Sequence, residues 1–302
     1  MKKLILYPIF FALLFAACDQ ESPMDTELYP KKVYIVGASD EVIDRDLHIG
    51  NNPDTINTSV AVSGSLPTDR DVVVTISEDS SAIANYNRQN LSSDDIQYQW
   101  LDESLYSFPP DLTIKAGSVY NTFPIYIEEP GSLHCDSLYM IPLRLNSTSE
   151  YELTEEDTVA LVRINMVNDY SGLYYVDGRL TNTTNPDDFT EYEMSRNLEA
   201  TDDGNTVRMY HYNNENKDYR SDYAFKITVD ENDSTLTYAS WDQFQIYDGG
   251  GVYHPSRKLY EFWYEYDKNG EVWRAEGFLY EERESDEARR KLNNWIEEQR
   301  AE

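Results

Sequence analysis

From residue 32 onward the chain is a succession of short runs, rich in Val, Ile, Tyr and Thr, in which apolar and polar residues alternate. That period of two fits a strand with one face on a core, and no long helix satisfies it. The first half holds seven such runs: KVYIVGA, TSVAVSG, DVVVTIS, DLTIKAG, NTFPIYIEE, SLYMIPLRL and TVALVRINMV. Gly, Pro, Asp and Asn separate them, which predicts a β-sandwich over residues 32–168 with one small helix at SSAIANYNRQN. A seam falls near Asn168–Gly172, in MVNDYSGLYY, and the pattern restarts. Eight further runs follow: GLYYVDGRL, YEMSRNLEA, TVRMYHYN, YAFKITVD, STLTYAS, FQIYDG, LYEFWYEY and EVWRAEGFLYEE. Short polar turns such as DDGN and DKNG join them, which predicts an up-and-down meander closing into a barrel over residues 169–302. The final stretch, SDEARRKLNNWIEEQRAE, reads as a helix with Ser285 as N-cap and Asp286 and Glu287 in its first turn. Ala288, Leu292, Trp295 and Ile296 form its apolar face, which is expected to plug or pack on the barrel.

The chain begins MKKLILYPIFFALLFAAC. Two lysines, an apolar run from Leu4 to Phe15 and two small alanines are the parts of a secretory signal peptide, residues 1–17. The run is short for a membrane span, and no second one follows. Small-small-Cys at its end resembles a bacterial lipobox, with Phe15 departing from the usual leucine, so Cys18 is expected to carry acyl chains. More than one chain gives stable anchoring. Residues 18–31 then read as an acidic tether, and Asp19 and Glu21 resemble the surface-export signal of Bacteroidota lipoproteins.

The formal charge is −31, and −33 once Lys2 and Lys3 leave with the leader. A surface this acidic repels nucleic acid and anionic headgroups, so nucleic-acid binding is excluded and any membrane link is the lipid. With Cys18 committed, Cys135 has no partner for an internal disulfide and reads as a reactive thiol or, more commonly, a small buried residue.

The segment DLTIKAGSVYNTFPIYIEEPGSLHCDSLYMIPLRLNS resembles the core of domain-of-unknown-function 1735, a β-sandwich of Bacteroidota surface lipoproteins, at Thr113, Ile114, Gly117, Tyr139, Pro142 and Leu143. The second half, with YSGLYYVDG and LYEFWYEY, is similar to domain-of-unknown-function 4361, a lipocalin-like barrel that follows it. The resemblance implies an Ig-like β-sandwich followed by a lipocalin-like barrel, in a surface lipoprotein of a polysaccharide-utilisation system. Such proteins are inferred to bind glycans beside an outer-membrane transporter. Fold families do not fix ligand, so the site is argued from residues.

Catalysis finds little support. His48, His134, His211 and His254 show no HxH or HExxH spacing, and no GxSxG, P-loop or GxGxxG occurs. Carboxylate pairing decides nothing among 56 acidic residues. Thr201-Asp202-Asp203-Gly204-Asn205 could offer oxygens to calcium but lacks EF-hand spacing, and reads better as a solvated turn with Gly supplying an unusual backbone angle. No metal or cofactor is implied, and the chain reads as non-catalytic.

Sugar binding asks for flat aromatics flanked by carboxylates, amides and Arg. The chain has 25 tyrosines and five tryptophans. Asn269-Gly270 is a type I′ turn signal that sets the last hairpin's register. Lys268 then opposes Glu271, and Phe262, Tyr264 and Tyr266 face inward opposite Gly277, Ala275 and Trp273. The outer face carries Trp263 opposite Glu276, Glu265 opposite Arg274, and Glu261 opposite Phe278. Trp263 among charges is a candidate sugar platform, against the alternative that it packs under the C-terminal helix or on the sandwich. Trp241 with Tyr247 and Tyr253, flanking a permissive loop at Gly249–Gly251, is a second candidate at the barrel mouth, against the alternative of a hinge whose tyrosines pack inward. Trp100 reads as core. The glycan-binding candidates are therefore Trp263, Trp241, Tyr247, Tyr253, Glu261, Arg274 and Glu276, for a polysaccharide or oligosaccharide. The competing reading is a structural or adhesin-like partner of an outer-membrane complex.

Overall fold

The computed structural model describes residues 26–201, 203–211, 220–283 and 285–301. The leader, Cys18 and the first part of the tether lie outside the described residues. Two sheets pack face to face in the first half. One runs β10 (Glu152–Leu153), β1 (Lys32–Ile35), β3 (Asp54–Val62), β8 (Tyr120–Ile127), β6 (Tyr106–Ser107). The other runs β2 (Val42–His48), β11 (Val159–Val167), β9 (Leu138–Thr148), β4 (Val72–Glu78), β7 (Asp111–Ile114), with β5 (Tyr98–Trp100) also on β9. Between them lie Val33, Ile56 and Phe123 from one sheet and Val74, Ile141 and Val162 from the other. Each such side chain contributes on the order of 2 kcal/mol on burial. Helix α1 (Ala82–Asn90) seats Ile83 on Met140 and Leu161 outside the second sheet. Trp100 packs on the core and donates to the Tyr106 hydroxyl at 2.8 Å.

Four of these strands, β2, β5, β6 and β10, are absent from the seven expected. The last three are only two or three residues long. Strand β2 is masked in sequence by Asp44, Arg45 and Asp46. It still alternates, burying Ile43 and Leu47, and it pairs in parallel with β11, where Asp44 binds the Arg163 guanidinium.

All eight strands expected in the second half form: β12 (Gly172–Asn182), β13 (Phe189–Ala200), β14 (Thr206–Tyr210), β15 (Ala224–Val229), β16 (Leu236–Ser240), β17 (Ile246–His254), β18 (Leu259–Lys268) and β19 (Glu271–Glu281). They make one sheet closed by its first and last strands, β12 with β19, over nine residue pairs. The barrel parts between β16 and β17, where one bridge, Thr235 to Val252, remains and Tyr238 fills the gap, its ring on Gly249 and its hydroxyl donating to the Gly250 carbonyl at 3.2 Å. The expected loop at Gly249–Gly251 is therefore strand. Gly251, at φ 141°, would set a Cβ 2.1 Å from the Glu261 carbonyl, so glycine there serves close strand approach.

The barrel interior is filled. Tyr174, Phe225, Tyr260, Phe262 and Tyr264 are fully buried, with the Phe225 and Tyr264 rings 4.8 Å apart. In the chain between β14 and β15, α2 (Arg220–Tyr223) is a single turn. Helix α3 (Asp286–Ala301) lies on the outer wall, Leu292 and Ile296 covering Leu259 and Phe278. The Ser285 hydroxyl accepts from the Ala288 amide at 3.2 Å, as an N-cap does.

Sandwich and barrel are clamped. Arg208 on β14, 1% exposed, donates to Asp136 from the loop before β9 and to Glu199 on β13, and stands 4.6 Å over the Trp241 ring. Arg220 reaches the same Asp136 at 2.8 Å. At the seam, Asn168 donates to the Thr206 carbonyl at 2.8 Å. The Thr201–Asn205 turn is an interface, contrary to expectation. A Cβ on Gly204 would stand 2.7 Å from the Gly50 Cα, so glycine is needed there for close approach and not for its backbone angle. Asp202 lies outside the described residues. Replacing Arg208 by Met takes the cation from Glu199, whose side chain is 36% exposed, and leaves Asp136 with Arg220 alone. The expected loss is about 3 kcal/mol of stability, measured by urea denaturation of the two chains.

Candidate functional site

The hairpin of β18 and β19 has the register that its turn dictates. Asn269 and Gly270 both have positive φ, and Lys268 pairs with Glu271, Tyr266 with Trp273, Trp263 with Glu276 and Glu261 with Phe278. Pairing of β19 with β12 extends each outward row by one residue: Trp263–Glu276–Arg179, Glu261–Phe278–Asp177 and Leu259–Tyr280–Tyr175. These rows make the outer wall of the barrel.

A depression of about 540 Å³ in this wall brings together Glu261, Trp263, Arg274 and Glu276, with Arg179 and Arg300 at its sides. Trp263 is half-buried. Its indole rests on Gly250, where a Cβ would stand 3.1 Å from Nε1, and the Arg274 guanidinium lies 4.1 Å from the ring centroid, a cation–π contact. Arg274 Nε donates to Glu276 at 3.0 Å, and its Nη1 is 3.8 Å from Glu265. His254 Nε2 lies 3.2 Å from a Glu261 oxygen. The C-terminal end of α3 borders the depression through Gln299 and Arg300, and the helix packs on Phe278 and, in part, on Tyr280. The site thus offers an aromatic, two carboxylates and a guanidinium within one concavity.

The other candidates do not join it. Tyr253 is 5% exposed and points into the barrel core, its ring 4.8 Å from Tyr260, because its place in β17 pairs it with that inward residue. Tyr247 is 53% exposed beside a bulge in β17. Trp241 belongs to the clamp, with Arg208 and Lys226 over its ring and His134 at 6.3 Å. Three aromatics close in sequence thus occupy the core, the surface and the sandwich–barrel contact.

A second and larger depression, about 900 Å³, runs along the side of α3, is floored by Tyr175 and Tyr280, and adjoins the first at Glu191 and Arg300, near the C-terminal end of the helix. Sequence reasoning missed it because it depends on the β12–β19 pairing. The outward alternation Tyr175-Asp177-Arg179 was the available signal.

Two further groups invite chemical readings. His134, Cys135 and Asp136 place potential metal-ligand atoms within 4.8 Å of one another. Asp136, however, already serves Arg208 and Arg220, cations that oppose a metal, and burial pushes the Cys135 thiol up and away from thiolate. His211 is buried in the barrel, with Nδ1 2.8 Å from the Tyr264 hydroxyl. Burial, then the charges of Arg196 and Lys268, lower it from 6.5 to about 3. The unfolded chain takes up this proton near pH 6.5 and the folded chain only near 3. Stability from this residue is therefore complete above pH 6.5 and drains as pH falls toward 3, by up to about 1.4 kcal/mol per pH unit. Urea midpoints taken from pH 7 to pH 4 are expected to fall in the wild type and to fall less in His211→Gln.

A sandwich followed by a barrel, with the candidate site on the outer barrel wall, defines a two-domain all-β class. A family model described as an N-terminal domain matches residues 29–152, and its companion C-terminal model matches residues 158–279. The chain belongs to this family, in agreement with its resemblance to the domains of unknown function 1735 and 4361. Among solved structures, a Bacteroides ovatus protein of unknown function is similar at 20% identity and a TM-score of 0.61, over 83% of this chain and 94% of that one. A Bacteroides ovatus multidomain protein including domain-of-unknown-function 1735 is similar at 20% identity and 0.60, over 82% and 93%. An auxiliary nutrient binding protein from Bacteroides thetaiotaomicron is similar at 16% identity and 0.55, over 80% and 91%. These likenesses concern the fold. No curated protein matches the chain. No helix among the described residues is long and apolar enough to cross a membrane.

Proposed function

We propose that this protein captures a polysaccharide or oligosaccharide at the cell surface without cleaving it, held to the outer membrane by acyl chains on Cys18 and working beside an outer-membrane transporter. The observation that carries the reading is the depression where Trp263, Arg274, Glu261 and Glu276 meet on the wall of a barrel whose interior is packed with aromatics. A filled barrel leaves its outside for ligand, and this concavity pairs an apolar ring with donors and acceptors for hydroxyls. The similar nutrient binding protein of Bacteroides thetaiotaomicron is consistent with such a role. The acidic chain keeps nucleic acid away, and the tether and sandwich act as a spacer.

Affinity electrophoresis of the chain from Thr26 onward through plant, host and microbial polysaccharides tests the reading. Retardation by a glycan is expected, lost in Trp263→Ala and kept in Trp263→Phe, with both variants folded by near-ultraviolet circular dichroism. Failure of every glycan to retard the chain sinks it and favours a protein partner. In cells, Cys18→Ala is expected to release the protein from the membrane fraction; a variant that stays membrane-bound refutes the lipid link.

A further inference from the structure

The larger wall depression has a floor of two aromatic rings. Tyr175 on β12 and Tyr280 on β19 are direct cross-strand neighbours, their rings 27° from parallel with centroids 6.3 Å apart. Both are half-buried. Because they lie side by side, they form a continuous platform rather than a clamp. Helix α3 supplies one bank through Asn293 and Glu297, and β13 supplies the other through Glu191 and Glu193. This depression is larger than the one at Trp263 and shares two residues with it, Glu191 and Arg300. Arg300 stands where they meet, donating to Asp177 at 2.6 Å. The two concavities are therefore neighbouring cells of one groove along the wall.

Strand geometry gives the groove its length. The Tyr280–Tyr175 row lies four residues along β18 and β19 from the Trp263–Glu276 row. At ~3.4 Å per residue this is about 14 Å, with a further offset of one or two strands, each ~4.8 Å. A span of this size suits a chain of several sugar residues and exceeds a single ring. Charge gives the groove its selectivity. Five carboxylates and three guanidiniums line the tyrosine cell. The surplus is negative, on a chain of net charge −31. Carboxylates accept from hydroxyls, but they repel uronate and sulfate, and repulsion of this kind supplies selectivity against anionic ligands.

Building on the glycan reading above, we propose that Tyr175 and Tyr280 form a second sugar subsite, that this platform and Trp263 engage one chain together, and that the chain is a neutral glycan. Asp177 and Arg300, already paired, sit under the middle of the bound chain and offer it an acceptor and a donor.

The test is affinity electrophoresis of the chain from Thr26 onward against neutral amylopectin, galactomannan, arabinoxylan and yeast mannan, and against acidic polygalacturonate and chondroitin sulfate. Calorimetry follows, with an oligosaccharide length series cut from whichever glycan binds. The expected result is binding within the neutral set alone and affinity that climbs with oligosaccharide length. Tyr175→Leu, which keeps apolar cover on the wall but removes the ring, should weaken the longest oligosaccharide about tenfold. Tyr175→Phe should bind as wild type, which separates loss of the ring from loss of the hydroxyl. Urea midpoints confirm that each variant is folded. Binding confined to the acidic glycans overturns the charge argument and leaves glycan capture standing. Tyr175→Leu binding as wild type at every length, while Trp263→Ala fails, removes the second subsite and leaves the first. No binding by any glycan removes both proposals.

Discussion

The pairing of β12 with β19 is the constraint on which the barrel and its outer wall both depend. It joins the first and last strands of the meander, Tyr174 to Glu281 at one end and Asn182 to Trp273 at the other. Without it the meander would divide where β16 and β17 part, into sheets of five and three strands with long exposed edges. Its centre is a Gly178–Gly277 pair. A Cβ on Gly277 would stand 2.3 Å from the Asp177 carbonyl, and one on Gly178 would strike the inward Tyr192 ring. The closing contact is thus made at a point where two strands approach too closely for side chains, and the space on the inside is taken by a tyrosine.

Closure has two consequences that bear on function. Inward, it brings enough aromatic rings together to fill the barrel, including His211, which is kept neutral by the dry surroundings that the rings create. Outward, it sets β12 beside β18 and β19, so that Arg179, Asp177 and Tyr175 continue rows begun by Trp263, Glu261 and Leu259. Helix α3 then lies on these rows, covering Phe278, with one concavity along its side and the other at its C-terminal end, the two meeting at Glu191 and Arg300. The same strand pairing therefore closes the interior to ligand and builds the external groove.

The attachment of the sandwich depends on a different kind of interaction. Arg208 is almost wholly buried and gathers Asp136, Glu199 and the Trp241 ring. A buried cation with two carboxylate partners tolerates little displacement, because each misplaced charge carries its desolvation cost uncompensated. Together with Asn168 at the seam and the Gly50–Gly204 contact, it fixes the barrel wall relative to the sandwich, and so relative to the tether that precedes it.

Sequence alone determined the all-β class, the eight strands of the meander, the C-terminal helix and the facing pairs of the last hairpin. These rest on local physics: a period of two, a helical stripe, and an Asn269-Gly270 turn whose positive φ angles admit one register. The Trp263–Glu276 and Glu265–Arg274 pairs were legible for that reason. Strand β2 was not, because Asp44, Arg45 and Asp46 look like a loop until β11 lies alongside with Arg163. The Gly249–Gly251 run was misread for a similar reason: glycines kept for close approach look the same in sequence as glycines kept for freedom. Only the tertiary structure decided that Tyr253 is core, that Trp241 belongs to the clamp, and that Tyr175 lies beside Tyr280. Each depends on contacts between segments far apart in the chain, such as the 105 residues that separate Tyr175 from Tyr280. No periodicity within one segment carries information about which distant strand will become its neighbour.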